Sequence, residues 1–217
     1  MCREQIVRVI SAYDDLVIRA YCRGRFLILR GRFLDEIGQY LPEEGTILDV
    51  GCGFGLFSLY YAQLLPAARF KGLDRNARRI RLATEAAKRL GLSNTTYQVG
   101  DARDYCANEA YAAAYMLDLV HHIPPETVEP LLSELHKSLR AGGRLLVKDV
   151  DTRPAYKRWF THALDLMMSP GDVVHYWPAE RLHSLLERVG FRVYRHLMVD
   201  QLLPYPHVLY VCHKDGA

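Results

Sequence analysis

Five short apolar runs, "TILDV" (46–50), "RFKGLD" (69–74), "TTYQVG" (95–100), "AYAAAYML" (110–117) and "RLLVKDV" (144–150), are separated by segments of mostly helical periodicity. Helices are expected at 56–65, at 77–90 with Gly91 as the stop, and at 126–139, opened by "PP" and closed by "AGG". A short helix or loop follows the third run. Strands alternating with helices predict a doubly wound, parallel α/β sheet. The end of the chain breaks the alternation. "FRVYRHLMV" (191–199) and "HVLYVCHK" (207–214) both read as strands, and only the seven residues "DQLLPYP" separate them. A parallel crossover needs roughly a dozen residues. The two runs must therefore form a hairpin, with the last of seven strands antiparallel to the others.

The stretch "DVGCGFG" (49–55) places glycine at every second position directly behind the first apolar run. The dinucleotide fingerprint G-x-G-x-x-G needs a third glycine for close helix–strand packing. Counted from Gly51 the sixth position is Leu56, and counted from Gly53 it is Ser58. The fingerprint fails at its last position, which points to a different adenosine ligand.

At 217 residues and 50% hydrophobic, the chain suffices for one domain with a large core. Twenty-eight Lys and Arg against 25 Asp and Glu leave a formal charge of +3, too slight to imply nucleic acid. The excess is uneven: residues 1–32 hold seven arginines against Glu4, Asp14 and Asp15, and "RNARRIR" (75–81) forms a second cluster. A solvated helix face is the plain reading of both; peripheral contact with a membrane or an anionic substrate is the functional one. Five scattered cysteines without a C-x-x-C pair argue against disulfides and against zinc, so no metal is expected. No apolar leader core is visible, and no run approaches the roughly 18 residues of a membrane span. A soluble, cytoplasmic protein is expected.

Ile6, Val9, Ile10, Tyr13, Leu16, Val17, Ala20 and Tyr21 recur at three-four spacing and predict one amphipathic helix over 4–22. "CRGR" ends it, and Phe26, Leu29, Phe33, Ile37 and Tyr40 mark a second helix before Pro42. Residues 1–40 are thus expected as a helical cap on a domain spanning 41–217. Tyr13 and Tyr21, about two turns apart, would share one face of that cap.

Ligands of a parallel α/β sheet bind at the carboxyl ends of its strands. Those ends carry Asp49, Asp74, Asp101, Asp118 and Asp149, with Asp151 just beyond. One such carboxylate is commonplace as a helix cap; five in succession are harder to explain by capping. Here the pattern resembles the class I S-adenosylmethionine (SAM)-dependent methyltransferases. "ILDVGCGFG" looks like their glycine loop, "GLD" like the ribose-binding acid and "VGDA" like the adenine-contacting acid. "LVHHIP" followed by "LRAGGRLLVKD" resembles the segment around their fourth and fifth strands, and the terminal hairpin matches their reversed seventh strand. The match covers roughly residues 40–150 and 178–214.

The resemblance implies a Rossmann-like methyltransferase fold, SAM as cofactor and a cofactor set of Asp49, Gly51, Gly53, Gly55, Asp74, Arg75, Asp101, Ala102 and Asp118. Tyr13 and Tyr21 join the set if the cap closes over the sulfonium, whose positive charge favours a ring face. The chemistry of the residues agrees. Bare backbone at Gly51 and Gly53 lets the amino acid part of SAM lie against the turn, and Asp49 can pair with its ammonium group. Gly55 serves helix packing equally well. When the nucleophile carries a proton a general base is needed. The candidates are His122, then His121 and His175, with Asp149 beside them. In an extended segment the adjacent histidines would point to opposite sides, and the nearby Pro124 favours His122. Residues 154–177, with Tyr156, Trp159, Phe160, Met167, Met168, Tyr176 and Trp177, read as a lid around an apolar or aromatic acceptor.

The expected activity is methyl transfer to a hydroxyl of an apolar, lipid-like or aromatic small molecule. No "DPPY"-like motif and no Pro-Cys pair supports a nucleic-acid substrate, and none is expected. RNA or protein methylation and non-catalytic SAM binding are the alternatives, and a dehydrogenase is disfavoured by Leu56 and the reversed last strand.

Overall fold

The computed structural model describes residues 2–29, 31–151, 174–198 and 207–216. Seven strands, β1 (Gly45–Val50), β2 (Ala68–Asp74), β3 (Thr95–Val99), β4 (Tyr111–Leu117), β5 (Leu139–Val150), β6 (Arg192–Leu197) and β7 (His207–His213), form one sheet. Their order is β3-β2-β1-β4-β5-β7-β6. β1 to β5 pair in parallel, and β7 is antiparallel to both β5 and β6. The expected hairpin is therefore present, its loop lying outside the described residues. All seven residues of β4 are buried, as an apolar run in mid-sheet requires. β1 pairs with β2 on one side and β4 on the other, which puts a switch-point crevice at their carboxyl ends.

Alternation along each strand divides the core into two clusters, one per face. Ile47, Phe70, Ala113, Tyr115 and Leu146 meet α4 (Leu56–Leu64), α5 (Ala77–Leu90) and the N-terminal helices α1 (Cys2–Ser11), α2 (Leu16–Ile28) and α3 (Gly31–Gly38). Leu48, Ala114, Met116, Leu145 and Val147 meet α6 (Pro125–Ser138) and α7 (Ala179–Val189). α4 is buried along Leu56–Ala62 because α1–α3 cover its outer side. Phe26 meets Phe57 and Tyr60 edge-on or tilted, and Tyr61 donates to the Leu34 carbonyl at 2.8 Å.

The N-terminal helices depart from the pattern expected of them. Residues 4–22 are two helices, broken between Ser11 and Leu16. The cause is Asp15, whose side chain accepts from Val17 N and Ile18 N and starts a new helix. "CRGR" lies inside α2, where a Cβ on Gly24 would meet nothing, and Phe26 belongs to α2 rather than to a second helix running to Tyr40. "AGG" does not close α6 through a loop. Leu139 already pairs with Tyr111, and a register shift before Ala113 absorbs Gly142 at φ +71°. Most of the expected lid, including Tyr156, Trp159, Phe160, Met167 and Met168, falls on residues outside those described.

Removing the Asp15 cap tests this account of the N-terminus. Asp15→Ala should cost about 1 kcal/mol and lower Tm by roughly 2–4 °C for a chain of this size. Asp15→Asn, which keeps the cap, should recover most of the loss. Equal melting of both variants with the parent would show that tertiary packing alone sets the break.

Candidate functional site

The turn behind β1 runs through three left-handed glycines, Gly51 (φ +74°), Gly53 (φ +57°) and Gly55 (φ +78°). It is tied to β2: Gly51 N and Cys52 N donate to the Leu73 carbonyl at 2.7 and 3.0 Å, and Gly53 N donates to Asp74 Oδ2 at 2.9 Å. Asp74 Oδ1 accepts from Asn76 N at 2.8 Å. The three glycines face different surroundings. A Cβ on Gly55 would stand 2.8 Å from the Tyr97 hydroxyl and 3.0 Å from Ala83, so packing accounts for it. One on Gly51 would strike Leu119 at 2.8 Å, and one on Gly53 would meet no protein atom within 4 Å. The open space lies along the middle of the turn.

Asp49 sits under this turn between Gly72 of β2 and Tyr115 of β4. It is 3% exposed, and Oδ2 has no hydrogen-bond partner. Burial pushes its carboxyl up to about 7, against the nearby Tyr115 and Ser58 hydroxyls, with the Asp74 charge adding to the rise. Asp101 caps the short turn Ala102–Asp104 and pairs with Arg103 through both oxygens, which holds it below its ordinary value. Ala102 packs on the second core cluster, and Arg75 stands exposed directly after Asp74.

Tyr13 and Tyr21 do not share a helix face, since Tyr13 lies in the break between α1 and α2. Both nevertheless reach the glycine turn. The Tyr13 hydroxyl donates to the Phe54 carbonyl at 2.7 Å, and Tyr21 meets the Phe54 ring edge-on at 5.4 Å. Asp118 is committed elsewhere. In left-handed backbone (φ +58°) it pairs with Arg25 of α2 at 2.7 Å and with Lys148 of β5. Burial alone would raise its carboxyl, but the charges of Lys148 and Arg25, then His207 and His121, hold it well below the ordinary range.

The histidines occupy a 3₁₀ turn, Val120–His122, rather than an extended segment, so they do not point to opposite sides. Their ring centroids are 4.2 Å apart. His121 is buried, its Nδ1 hydrogen-bonds Asp149 Oδ1, and its backbone N–H donates to Asp149 Oδ2 at 3.0 Å. Tyr176 stacks on the His121 ring at 5.8 Å, and His175 N donates to the His121 carbonyl at 2.7 Å. The structure thus brings the side chains of His121, His122 and Asp149 together, while His175 is joined to them only through its backbone N–H. Leu119 of the same segment packs on Gly51, so the histidine turn abuts the glycine turn. Sequence reasoning missed Arg25 and Lys148; the signal was a lysine inside the apolar run of a central strand.

Residues 19–196 match a family model described as a methyltransferase domain. The chain belongs to this methyltransferase family. A probable (S)-tetrahydroprotoberberine N-methyltransferase of Papaver bracteatum is 30% identical over 78 residues, which cover 36% of this chain and 22% of that protein. The chain thus spans about a fifth of that relative's length. A tRNA (guanine-N(7)-)-methyltransferase of Rubrobacter xylanophilus is 26% identical, covering 70% of this chain and 75% of that one. The SAM-dependent methyltransferase structure from Mesorhizobium loti superposes with a TM-score of 0.69 at 20% identity, over 83% of this chain and 96% of that chain. The seven-stranded sheet is the fold of this family.

Membership implies S-adenosyl-L-methionine as the cofactor, and the residues fit it. An uncompensated buried carboxylate oxygen at Asp49 suits an ammonium group. Open space at Gly53 and a carboxylate at the end of β2 suit a ligand laid along the turn. Asp49 also makes the fit measurable. A carboxyl raised to about 7 in the fold loses stability as pH climbs from its unfolded value near 4. Asp49→Asn should therefore melt above the parent at pH 8 without ligand, and that advantage should shrink toward pH 4. SAM affinity should fall at least tenfold for loss of a charged contact. Unchanged affinity by calorimetry would remove Asp49 from the site.

Proposed function

We propose that this chain transfers the methyl group of SAM to a hydroxyl of an apolar, lipid-like or aromatic small molecule, with His121 as general base. The observation that carries this is the buried His121–Asp149 pair on the segment that packs against the glycine turn. An amine or thiolate acceptor can react through a free lone pair, whereas a hydroxyl must lose a proton and gains from an oriented imidazole. The cofactor supplies an activated methyl group whose bonding electrons return to sulfur. As the oxygen–carbon bond forms, the hydroxyl proton goes to His121 Nε2. Asp149, accepting from Nδ1, fixes the ring's tautomer and favours the imidazolium that results. His122 and Tyr176, whose rings lie against the His121 ring, would flank the acceptor. Asp74 would hold the ribose, Asp101 with Ala102 the adenine, and Tyr13 and Tyr21 would brace the turn through Phe54.

An RNA acceptor is the second reading, favoured by the arginine-rich N-terminus and by the RNA-acting relatives. Incubating the protein with labelled SAM and cell extract, then resolving the products by mass spectrometry, separates the two acceptors. With the acceptor in hand, His121→Asn should lower kcat by roughly 10²–10⁴. It should also remove a pH–rate limb near neutrality and leave the Kd for SAM within a few-fold. His122→Ala should lose much less. Full turnover in His121→Asn would mean that positioning alone drives the transfer.

A further inference from the structure

α2 is apolar on two faces. Ile18, Cys22 and Phe26 are buried against the core. On the opposite side Leu16 is 74%, Val17 77% and Leu27 60% exposed, with exposed Ala20 and half-exposed Gly24 between them. At 100° per residue these five fall within one arc of about 100°. From Leu16 to Leu27 the arc runs roughly 16 Å along the helix. A second apolar stripe on a surface helix, opposite the one facing the core, marks a contact surface.

The polar residues of α2 say what covers it. Its only polar side chains besides Tyr21 and Cys22 are Arg19, Arg23 and Arg25, and it has no acid. Arg25 is spent on Asp118. Exposed Arg23 flanks the apolar arc, while Arg19 beside it donates to the Tyr13 and Ser11 carbonyls, which do not cancel its charge. The neighbouring acids are answered within the chain, Asp14 by Arg89 and Asp15 by Arg78.

We propose that the outward face of α2 docks on the surface of an anionic lipid bilayer. Leu16, Val17 and Leu27 enter the interfacial region, while Arg23 meets lipid phosphates and the positive charge of Arg19 beside it adds to the attraction. Two other occupants fit less well. RNA would use the arginines but gains nothing from exposed aliphatic side chains, and α2 itself presents no aromatic ring on this face to stack a base. A second copy meeting α2 face to face would bring arginines against arginines with no acid between them. The bilayer satisfies both halves of the surface at once. Docking here would set α2, and the glycine turn that Tyr21 braces, beside the membrane.

The test uses the full chain without cofactor, so it is independent of the proposed reaction. Vesicles of phosphatidylcholine, alone or with about one-third phosphatidylglycerol, are sedimented with the protein at low and high salt. Binding should require the anionic lipid and weaken with salt. Leu16→Glu/Val17→Glu should reduce it at least tenfold with Tm unchanged, and Arg23→Glu should reduce it roughly fivefold or more. Absence of binding to either vesicle, or equal binding by the double variant, overturns the proposal. So does a dimer in sedimentation velocity that the double variant dissociates, which would assign the face to a second copy. A clear drop in Tm of the double variant would show that the chain itself covers this face. RNA binding that the apolar substitutions leave intact, without vesicle binding, would assign the arginines to nucleic acid.

Discussion

The hydrogen bonds that tie the glycine turn to β2 set the geometry of everything around them. Gly51 N and Cys52 N share the Leu73 carbonyl, and Gly53 N reaches the Asp74 carboxylate. The backbone can make these bonds only by passing through left-handed conformations, and at Gly51 and Gly53 a side chain would be strained whatever its size. The turn leaves α4 pointing back under the N-terminal helices, seals Asp49 from water, and holds the buried Asp74 at the end of β2. Leu119 closes the other side of the turn.

α1–α3 reach both halves of that crevice. Tyr13 and Tyr21 contact Phe54 in the glycine turn, while Arg25 crosses to Asp118 at the end of β4. Behind Asp118 stands Lys148, fully buried, with the His207 Nε2 at 3.3 Å. Burial, and then the Lys148 charge, hold His207 well below its ordinary value, so it stays neutral near pH 7. Such a cluster contributes little net stability, because desolvating the charges offsets most of their attraction. Its consequence is geometric. Two cations from different elements fix one carboxylate directly before the turn that carries His121, which ties α2 to that segment.

Much of this was legible in the sequence for physical reasons that can be named. Seven residues with two prolines could not make a crossover, so the reversed last strand followed from chain length alone. Period-two and period-3.6 patterns located the sheet and its helices because burial imposes those periods. The N-terminal break was not legible in the same way. Apolar spacing continues unbroken from Ile6 to Tyr21, and only the cap at Asp15 reveals that two helices share it. The histidine pair misled for a related reason: opposite-facing neighbours follow from a strand, but Val120–His122 is a 3₁₀ turn whose rings lie side by side. Lys148 was hidden by its run, since a buried ion pair needs a partner that hydropathy does not name.

The five strand-end carboxylates show how position and environment divide the labour. In sequence they are equivalent, one aspartate behind each apolar run. In the fold Asp74 is held by backbone N–H groups, Asp101 by Arg103, Asp118 by Arg25 and Lys148, and Asp149 by His121 and two backbone N–H groups. Of the five, Asp49 alone keeps a buried oxygen without a hydrogen-bond partner. A buried polar group left unmet costs stability, and a fold that retains one beside open backbone leaves a specific place for a positively charged group. Burial pushes the Asp49 carboxyl up to about 7, and an ammonium group beside it would favour the charged form.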